Sequence, residues 1–211
     1  FDYQWIISMF SKYLETSVLA FIQGFFEFIP VSSSAHLILI SKIKNFQIAS
    51  LQLDICLHLG SLIAIIFYFR KDLINILNNK SLIYLLFFGS VPLVLTGFIF
   101  HYTGFIDNLR SIKVIAWTSL IFGIILYLAD KKEVKKKIDL DLNLKNIVII
   151  GIFQVLAIIP GVSRSGIIIT ASRFLNFDRI DSTKIAFYLS IPALAGASVL
   201  GISDLLNEEV T

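Results

Sequence analysis

The sequence predicts an all-α, polytopic membrane protein laid out as an inverted-topology repeat with two re-entrant helical hairpins. Three observations point there. Hydrophobic residues fill 56% of the 211 positions against 16% charged, and mean hydropathy is +0.83, too apolar for polar surface to cover a soluble core. Several runs stay nearly uncharged over the length of a bilayer crossing. Two further apolar segments are broken at their centres by a proline followed by serines. At about 20 apolar residues per crossing, the composition allows about five or six membrane segments.

The first apolar segment, residues 14–41, is broken at Pro30-Val31-Ser32-Ser33-Ser34. Proline ends a helix, and each half is shorter than a full span, so the segment reads as helix in, polar turn at depth, helix out. Residues 48–69 are long enough to cross, although they carry Asp54 and His58 on one helical face. Residues 81–100 and 114–129 read as plain spans, the second extended by the snorkelling stem of Lys113. Residues 146–171 repeat the hairpin pattern, broken at Pro160-Gly161-Val162-Ser163-Arg164-Ser165, and residues 182–203 form a last span interrupted by Pro192. One connecting loop holds Arg70, Lys71 and Lys80, and another holds Lys131, Lys132, Lys135, Lys136 and Lys137; loop 102–112 has only Arg110, with Lys113 near its end. The positive-inside rule makes the first two cytoplasmic and the third external. The block 131–137 then lies against anionic headgroups.

A shift of 130 places lays Pro30 over Pro160 and Ser33 over Ser163. Three spans separate the two breaks, and an odd number sends the first hairpin in from outside and the second from inside, the arrangement of an inverted repeat. The chain is then one membrane domain, 1–211: repeat one at about 14–100, a connecting span at 114–129, and repeat two at about 146–211. Repeat two has one span fewer after its hairpin, so C-terminal helices are expected to be missing.

Composition also excludes. Cys56 is the single cysteine, which removes an intramolecular disulfide and a cysteine-built metal cage. A net charge of +3 gives no nucleic-acid footprint. Walker, dinucleotide-binding and zinc-protease motifs do not occur.

The chemistry gathers at the breaks. Gln23 and Glu27 share a helical face just before the first break. An ionised carboxylate in a membrane helix costs about 2.5–3.5 kcal/mol on insertion scales, which argues for a partner or a task; the plainer reading is a carboxylate reaching interfacial water. Ser32, Ser33, Ser34 and His36 follow, with His36 three residues after Ser33, so hydroxyl and imidazole can face one way. At the second break, Arg164 stands at an expected helix start, where its planar fork and free backbone N–H groups suit phosphate. Alternatively Arg164 only neutralises Glu27. Asp54 and His58 line the same cavity, bind a cation with Glu27, or satisfy each other. Arg173 and Arg179 read as ordinary cytoplasmic surface, and His101 and Cys56 as structural.

Two stretches, Gln23-Gly24-Phe25-Phe26-Glu27-Phe28-Ile29-Pro30-Val31-Ser32-Ser33-Ser34-Ala35-His36 and Pro160-Gly161-Val162-Ser163-Arg164-Ser165-Gly166, resemble the signatures of the undecaprenyl-diphosphate phosphatases, also known as bacitracin-resistance proteins. Asp54-Ile55-Cys56-Leu57-His58-Leu59-Gly60 also looks like that family. The sequence departs where the family has Thr two residues after the glycine of the second motif: here it is Ile168, with Thr170 two places on. Family members also continue for about two more helices.

The resemblance implies hydrolysis of undecaprenyl diphosphate to the monophosphate at the outer face of a bacterial plasma membrane, recycling the carrier for peptidoglycan synthesis and conferring bacitracin resistance. It implies Glu27, Ser33, His36 and Arg164 as catalytic residues, and Gln23, Ser32, Ser163, Ser165 and Gly166 as substrate-binding. Ser33 attacks with Glu27 or His36 taking its proton, or His36 is itself the nucleophile. A divalent cation, Mg²⁺ or Ca²⁺, is expected to bridge Glu27 and the diphosphate. The expected partners are the prenyl diphosphate lipid and the bilayer, with a homodimer left open; the abundant phenylalanines suit the prenyl tail. The rival from another class is a flippase for an anionic prenyl lipid, because inverted repeats with broken helices are typical of transporters. A third reading is an inactive truncated homologue.

Overall fold

The computed structural model describes residues 3–44, 46, 51–103, 109, 111–134 and 136–208, with the side chains of 4, 5, 51, 52, 54, 101 and 204–208 outside that description. The named elements are all helical: α1 (Tyr3–Phe26), α2 (Ser33–Lys44), α3 (Leu51–Tyr68), α4 (Arg70–Asn78), α5 (Lys80–Thr103), α6 (Ile112–Asp130), α7 (Ile138–Asp141), α8 (Leu144–Val155), a 3₁₀ turn (Leu156–Ile158), α9 (Arg164–Phe174) and α10 (Arg179–Glu208). Among the described residues three stretches are long and apolar enough to cross a membrane, Lys80–Phe100, Ile112–Asp130 and Arg179–Ser203. Trp117, Leu120 and Ile124 on α6, with Phe87, Leu95 and Phe98 on α5, are exposed, as a lipid-facing surface demands. This is an all-helical membrane protein.

Both expected breaks are present. The residue before a proline avoids the helical region, and helix α1 ends ahead of Pro30; α2 restarts after Ser32, whose hydroxyl accepts from the N–H of Ala35 at 3.3 Å. Helix α8 tightens through its 3₁₀ turn, and α9 restarts after Ser163, which accepts from Gly166 N–H at 3.1 Å.

Three elements differ from expectation. Helix α1 begins at Tyr3, well ahead of residue 14, because polarity is not a helix stop: Ser11 bonds Glu15 (3.2 Å), and Thr16 and Ser17 bond carbonyls one turn back (2.9 and 2.8 Å). The first basic loop contains α4, which follows α3 after Phe69 alone and buries Ile76. Pro192 does not interrupt the last span. It lies inside α10, where burial of Leu189, Ala193 and Leu194 on either side of it holds the helix together.

Two apolar clusters brace the breaks. Leu19, Ile22, Leu37 and Leu57 join α1, α2 and α3, whereas Leu85, Ile147, Ile150, Ile168, Phe177 and Leu189 join α5, α8, α9 and α10. Helices α5 and α8 pack closely through paired glycines, since a Cβ on Gly151 would stand 2.2 Å from the carbonyl oxygen of Gly89. That atom is backbone, so relief requires the helices to part. Gly151→Ala is therefore expected to destabilise the fold by about 1–3 kcal/mol, the usual cost of overpacking, read as a lower midpoint of thermal unfolding in detergent. An unchanged midpoint would show that the crossing yields freely.

The basic loop before α8 corrects another expectation. Arg173, read from sequence as surface, is 2% exposed and donates to the carbonyls of Phe177 (2.9 Å), Asp130 (2.7 Å) and Lys132 (2.9 Å). Its long side chain reaches chain ends whose carbonyls have no helical partner, and so clasps the end of α6 to the α9–α10 turn. Arg179 does lie on the surface, forked onto the Asp130 carboxylate at 2.8 and 2.6 Å. Lys137 pairs with Asp178, whose carboxyl is held below the usual range by the backbone N–H of Asp181 and then by that ammonium. Within block 131–137, Lys135 lies outside the described residues.

Candidate functional site

The two breaks meet. Ser165 donates to the carbonyl of Ile29 at 3.0 Å, and Gly166 leaves room for the approach, since a Cβ there would stand 3.3 Å from the carbonyl of Pro30. The second turn is fixed from behind by α6: Thr118 donates to the carbonyl of Pro160 (2.7 Å) and Ser119 to that of Gly161 (3.2 Å). Gly161 has φ +93°, and a Cβ would stand 2.2 Å from the Thr118 hydroxyl, so glycine is required on both counts.

Glu27 lies at the centre, 8% exposed. Its Oε2 accepts from Ser33 at 2.6 Å and from the Gln23 amide at 2.9 Å, while its Oε1 is paired with the guanidinium of Arg164. Ser33 and Arg164 are each the first residue of a helix, α2 and α9, so the positive ends of two helices face one carboxylate. An anion entering here meets a guanidinium and two sets of free N–H groups, the requirements of a phosphate site.

His36 stacks on Phe26 at 4.0 Å between centroids, and its Nδ1 lies 2.7 Å from the carbonyl of Ser32. A carbonyl only accepts, so the contact places a proton on Nδ1, and Nε2 is the nitrogen left to accept in the neutral ring. The neighbouring serines form matched pairs, Ser32 with Ser34 and Ser163 with Ser165, each 3.1 Å apart.

The structure thus brings Gln23, Glu27, Ser32, Ser33, His36, Ser163, Arg164, Ser165 and Gly166 to one junction. The pairing of Glu27 with Arg164, an alternative from sequence, is present. The Asp54 side chain lies outside the described residues, and His58 is half-buried on α3. Ser61 on α3 also reaches the site, within 3.5 Å of the Gln23 amide while donating to the carbonyl of Leu57 (3.1 Å). Sequence reasoning passed over Ser61, although 54, 58 and 61 follow helical spacing. It also missed Thr118 and Ser119, whose only signal is two hydroxyls in an apolar span. Ile168, which stands where the related family has Thr, is fully buried in the core, and Thr170 lines the cavity beside His36 with its hydroxyl on the carbonyl of Gly166 (2.7 Å).

The sequence registers of the two breaks differ by one from the expected shift. The capping serines, 32 and 163, are 131 apart because one more residue separates Pro160 from its cap than Pro30 from its own, and Ser33 and Arg164 keep that interval; upstream of the prolines, Gln23 and Gln154 also stand 131 apart. Gln154 is a further residue that sequence reasoning missed; it is fully buried, and among the described residues neither of its amide atoms has a hydrogen-bond partner.

Fold and site together define a helical membrane protein with a buried carboxylate, hydroxyl and guanidinium set that can take a phosphate. The sequence model of the family described as bacitracin resistance protein BacA matches residues 16–211. Relatives named undecaprenyl-diphosphatase are similar along most of their length. That of Pelagibacter ubique (strain HTCC1062) is 53% identical over 95% of this chain and 78% of its own. That of Jannaschia sp. (strain CCS1) is 38% identical over 94% and 80%, and that of Elusimicrobium minutum (strain Pei191) 42% over 89% and 75%. The chain belongs to the bacitracin resistance protein BacA family.

Proposed function

We propose that this protein is a membrane phosphatase that hydrolyses undecaprenyl diphosphate to undecaprenyl phosphate and inorganic phosphate. One observation carries the reading beyond family membership: a single buried carboxylate binds a serine hydroxyl through one oxygen and an arginine through the other, at the starts of two helices. A nucleophile in hydrogen-bond contact with its base, beside a cation for the phosphoryl oxygens, is the minimal phosphoryl-transfer set.

In the first step the diphosphate takes Arg164 from Glu27. Ser33 Oγ attacks the terminal phosphorus, the bridging P–O bond breaks, undecaprenyl phosphate leaves, and Glu27 accepts the serine proton. In the second step water attacks the phosphoserine phosphorus and His36 Nε2 accepts its proton; the P–Oγ bond breaks, Glu27 returns its proton to Ser33 Oγ, and phosphate departs, the His36 proton passing to solvent. Gln23 fixes the Glu27 carboxylate throughout, and the capping serines and Gly166 shape the N–H groups around the phosphate.

A divalent cation, Mg²⁺ or Ca²⁺, fits this donor set. Gln23 Oε1 is buried next to Glu27 with no partner among the described residues, and such ions take hard oxygen ligands. Among the described residues no group of three or more His, Cys, Asp or Glu forms a cage, so Glu27 and Gln23 would hold the ion together with the substrate's oxygens. It would supply charge neutralisation of the diphosphate.

The broken segments are proposed as re-entrant hairpins of an inverted repeat. Their matched serine caps and the 131-residue interval support this, as does the basic residue count of the loops, which turns the site toward the outer face of the plasma membrane. The test is release of inorganic phosphate from undecaprenyl diphosphate by the purified chain in detergent with Mg²⁺ or Ca²⁺. Release in step with monophosphate formation is expected, and a substrate returned intact would refute the reading.

A further inference from the structure

We propose that the cavity between α2, α6 and α9 is the subsite for the first isoprenyl units, and that Gly123 on α6 sets the bulk it admits. The identity of the occupant rests on the phosphatase reading; the position of the subsite rests on geometry.

The cavity has a volume of about 190 Å³. Ser32, His36 and Ser163 of the junction line it together with Ser119 and Thr170 and with the apolar Phe122, Leu126 and Ile167. One cavity thus holds both polar groups of the junction and apolar side chains, the two kinds of surface that the start of a prenyl diphosphate presents. Ser119, Phe122, Gly123 and Leu126 follow helical spacing and make one face of α6, which spans about 10 Å from the first to the last at 1.5 Å per residue. Ser119 and Gly123 are exposed, so the cavity opens sideways on that face, and Gly123 lies near the middle of a span long enough to cross a bilayer. Lateral opening at that depth suits a substrate that arrives through lipid. Pockets that enclose drug-sized ligands run to about 300–1,000 Å³, so this smaller one takes the units next to the phosphates and leaves the rest of the chain in the bilayer.

Gly123 is the open point of that wall. A Cβ built there meets nothing within 4 Å among the described residues, unlike Gly151, Gly161 or Gly166, so no packing between them requires glycine at 123. A larger groove of about 710 Å³ runs along Phe28, Ile65, Phe69 and Phe187 with Arg179 and Lys184 on its rim, but no residue brought to the junction lines it, whereas Ser32, His36, Ser163 and Gly166 line the smaller cavity.

Two measurements test the assignment. A prenyl diphosphate analogue with a diazirine on its first isoprene unit, photolysed on the intact chain, is expected to label residues 119–126 or the adjoining part of α9. In kinetics, Gly123→Leu is expected to lower kcat/KM for undecaprenyl diphosphate relative to a one-isoprene diphosphate by about tenfold or more, chiefly through KM, with Gly123→Ala intermediate. Ala64→Trp, which fills the larger groove, is expected to leave that ratio unchanged. Labelling of α3 and α10, or a ratio that falls in Ala64→Trp and holds in the Gly123 variants, would overturn the proposal. Photolabelling reads position without turnover, so labelled α6 in a chain that releases no phosphate would overturn the phosphatase reading and leave the subsite standing.

Discussion

Arg164→Ala is expected to lower phosphate release by about 10³-fold or more, the range seen when an arginine that stabilises a transferring phosphoryl group is removed. The cause is twofold. Charge accumulating on the phosphoryl oxygens loses its counter-ion in a place where water is scarce, and Glu27, buried on α1's side of the junction, loses the partner that made its burial tolerable. The second effect alone is expected to cost about 3–5 kcal/mol of stability, the usual result of breaking a buried pair from one side. A purely structural ion pair would produce that loss too, so the variant is paired with Arg164→Ala/Glu27→Gln. Removing both charges is expected to restore the thermal midpoint and leave the activity lost. Activity returning with stability would show that the pair only holds the breaks together. Arg164→Lys is expected to recover little, because an ammonium cannot present the planar fork that spans two phosphate oxygens.

How far the site could be foreseen depends on the range of the contacts that make it. The breaks were legible because proline, glycine and serine act on their own backbone: Pro30 and Pro160 stop helices, and Ser32 and Ser163 start them, by interactions spanning three or four residues. Gln23 with Glu27, and Ser33 with His36, were legible through helical spacing. The pairing of Glu27 with Arg164 crosses 137 residues, yet two opposite charges in apolar segments leave few other ways for either to be buried. Ser61, Thr118 and Ser119 were not legible as site residues, because a hydroxyl in a membrane helix can satisfy itself on the carbonyl a turn back, and Ser61 and Thr118 also do so here. Arg173 misled for the opposite reason. Its place near Asp178 and Arg179 looks like surface, but its guanidinium turns inward to carbonyls of the α6 end, a contact set by how the loops fold. Pro192 misled because the packing of α10 on α3 and α9 outweighs the local preference of one residue.

Ser33→Ala is expected to be as damaging as Arg164→Ala, by about 10³-fold or more, and without its structural penalty. Serine and alanine are both accepted at the first turn of α2, Ser32 keeps its capping bond to Ala35, and Glu27 keeps both Arg164 and Gln23. The thermal midpoint should barely move. The variant also separates the two nucleophiles. With terminally ³²P-labelled diphosphate, rapid quenching of the unsubstituted chain is expected to trap a phosphoenzyme that resists acid, as phosphoserine does, and none in Ser33→Ala. An acid-labile adduct that persists in Ser33→Ala would assign the attack to His36. In the mechanism proposed here His36→Ala acts later: water lacks its base, the phosphoserine hydrolyses slowly, and the trapped species should accumulate instead of vanishing. The pattern also bears on transport. A flippase needs Arg164 to hold its lipid but has no use for a hydroxyl in contact with a carboxylate, so lipid movement that survives Ser33→Ala would detach the Ser33–Glu27 bond from function. Loss of both phosphate release and phosphoenzyme, in a chain that still folds, would tie that bond to the chemistry.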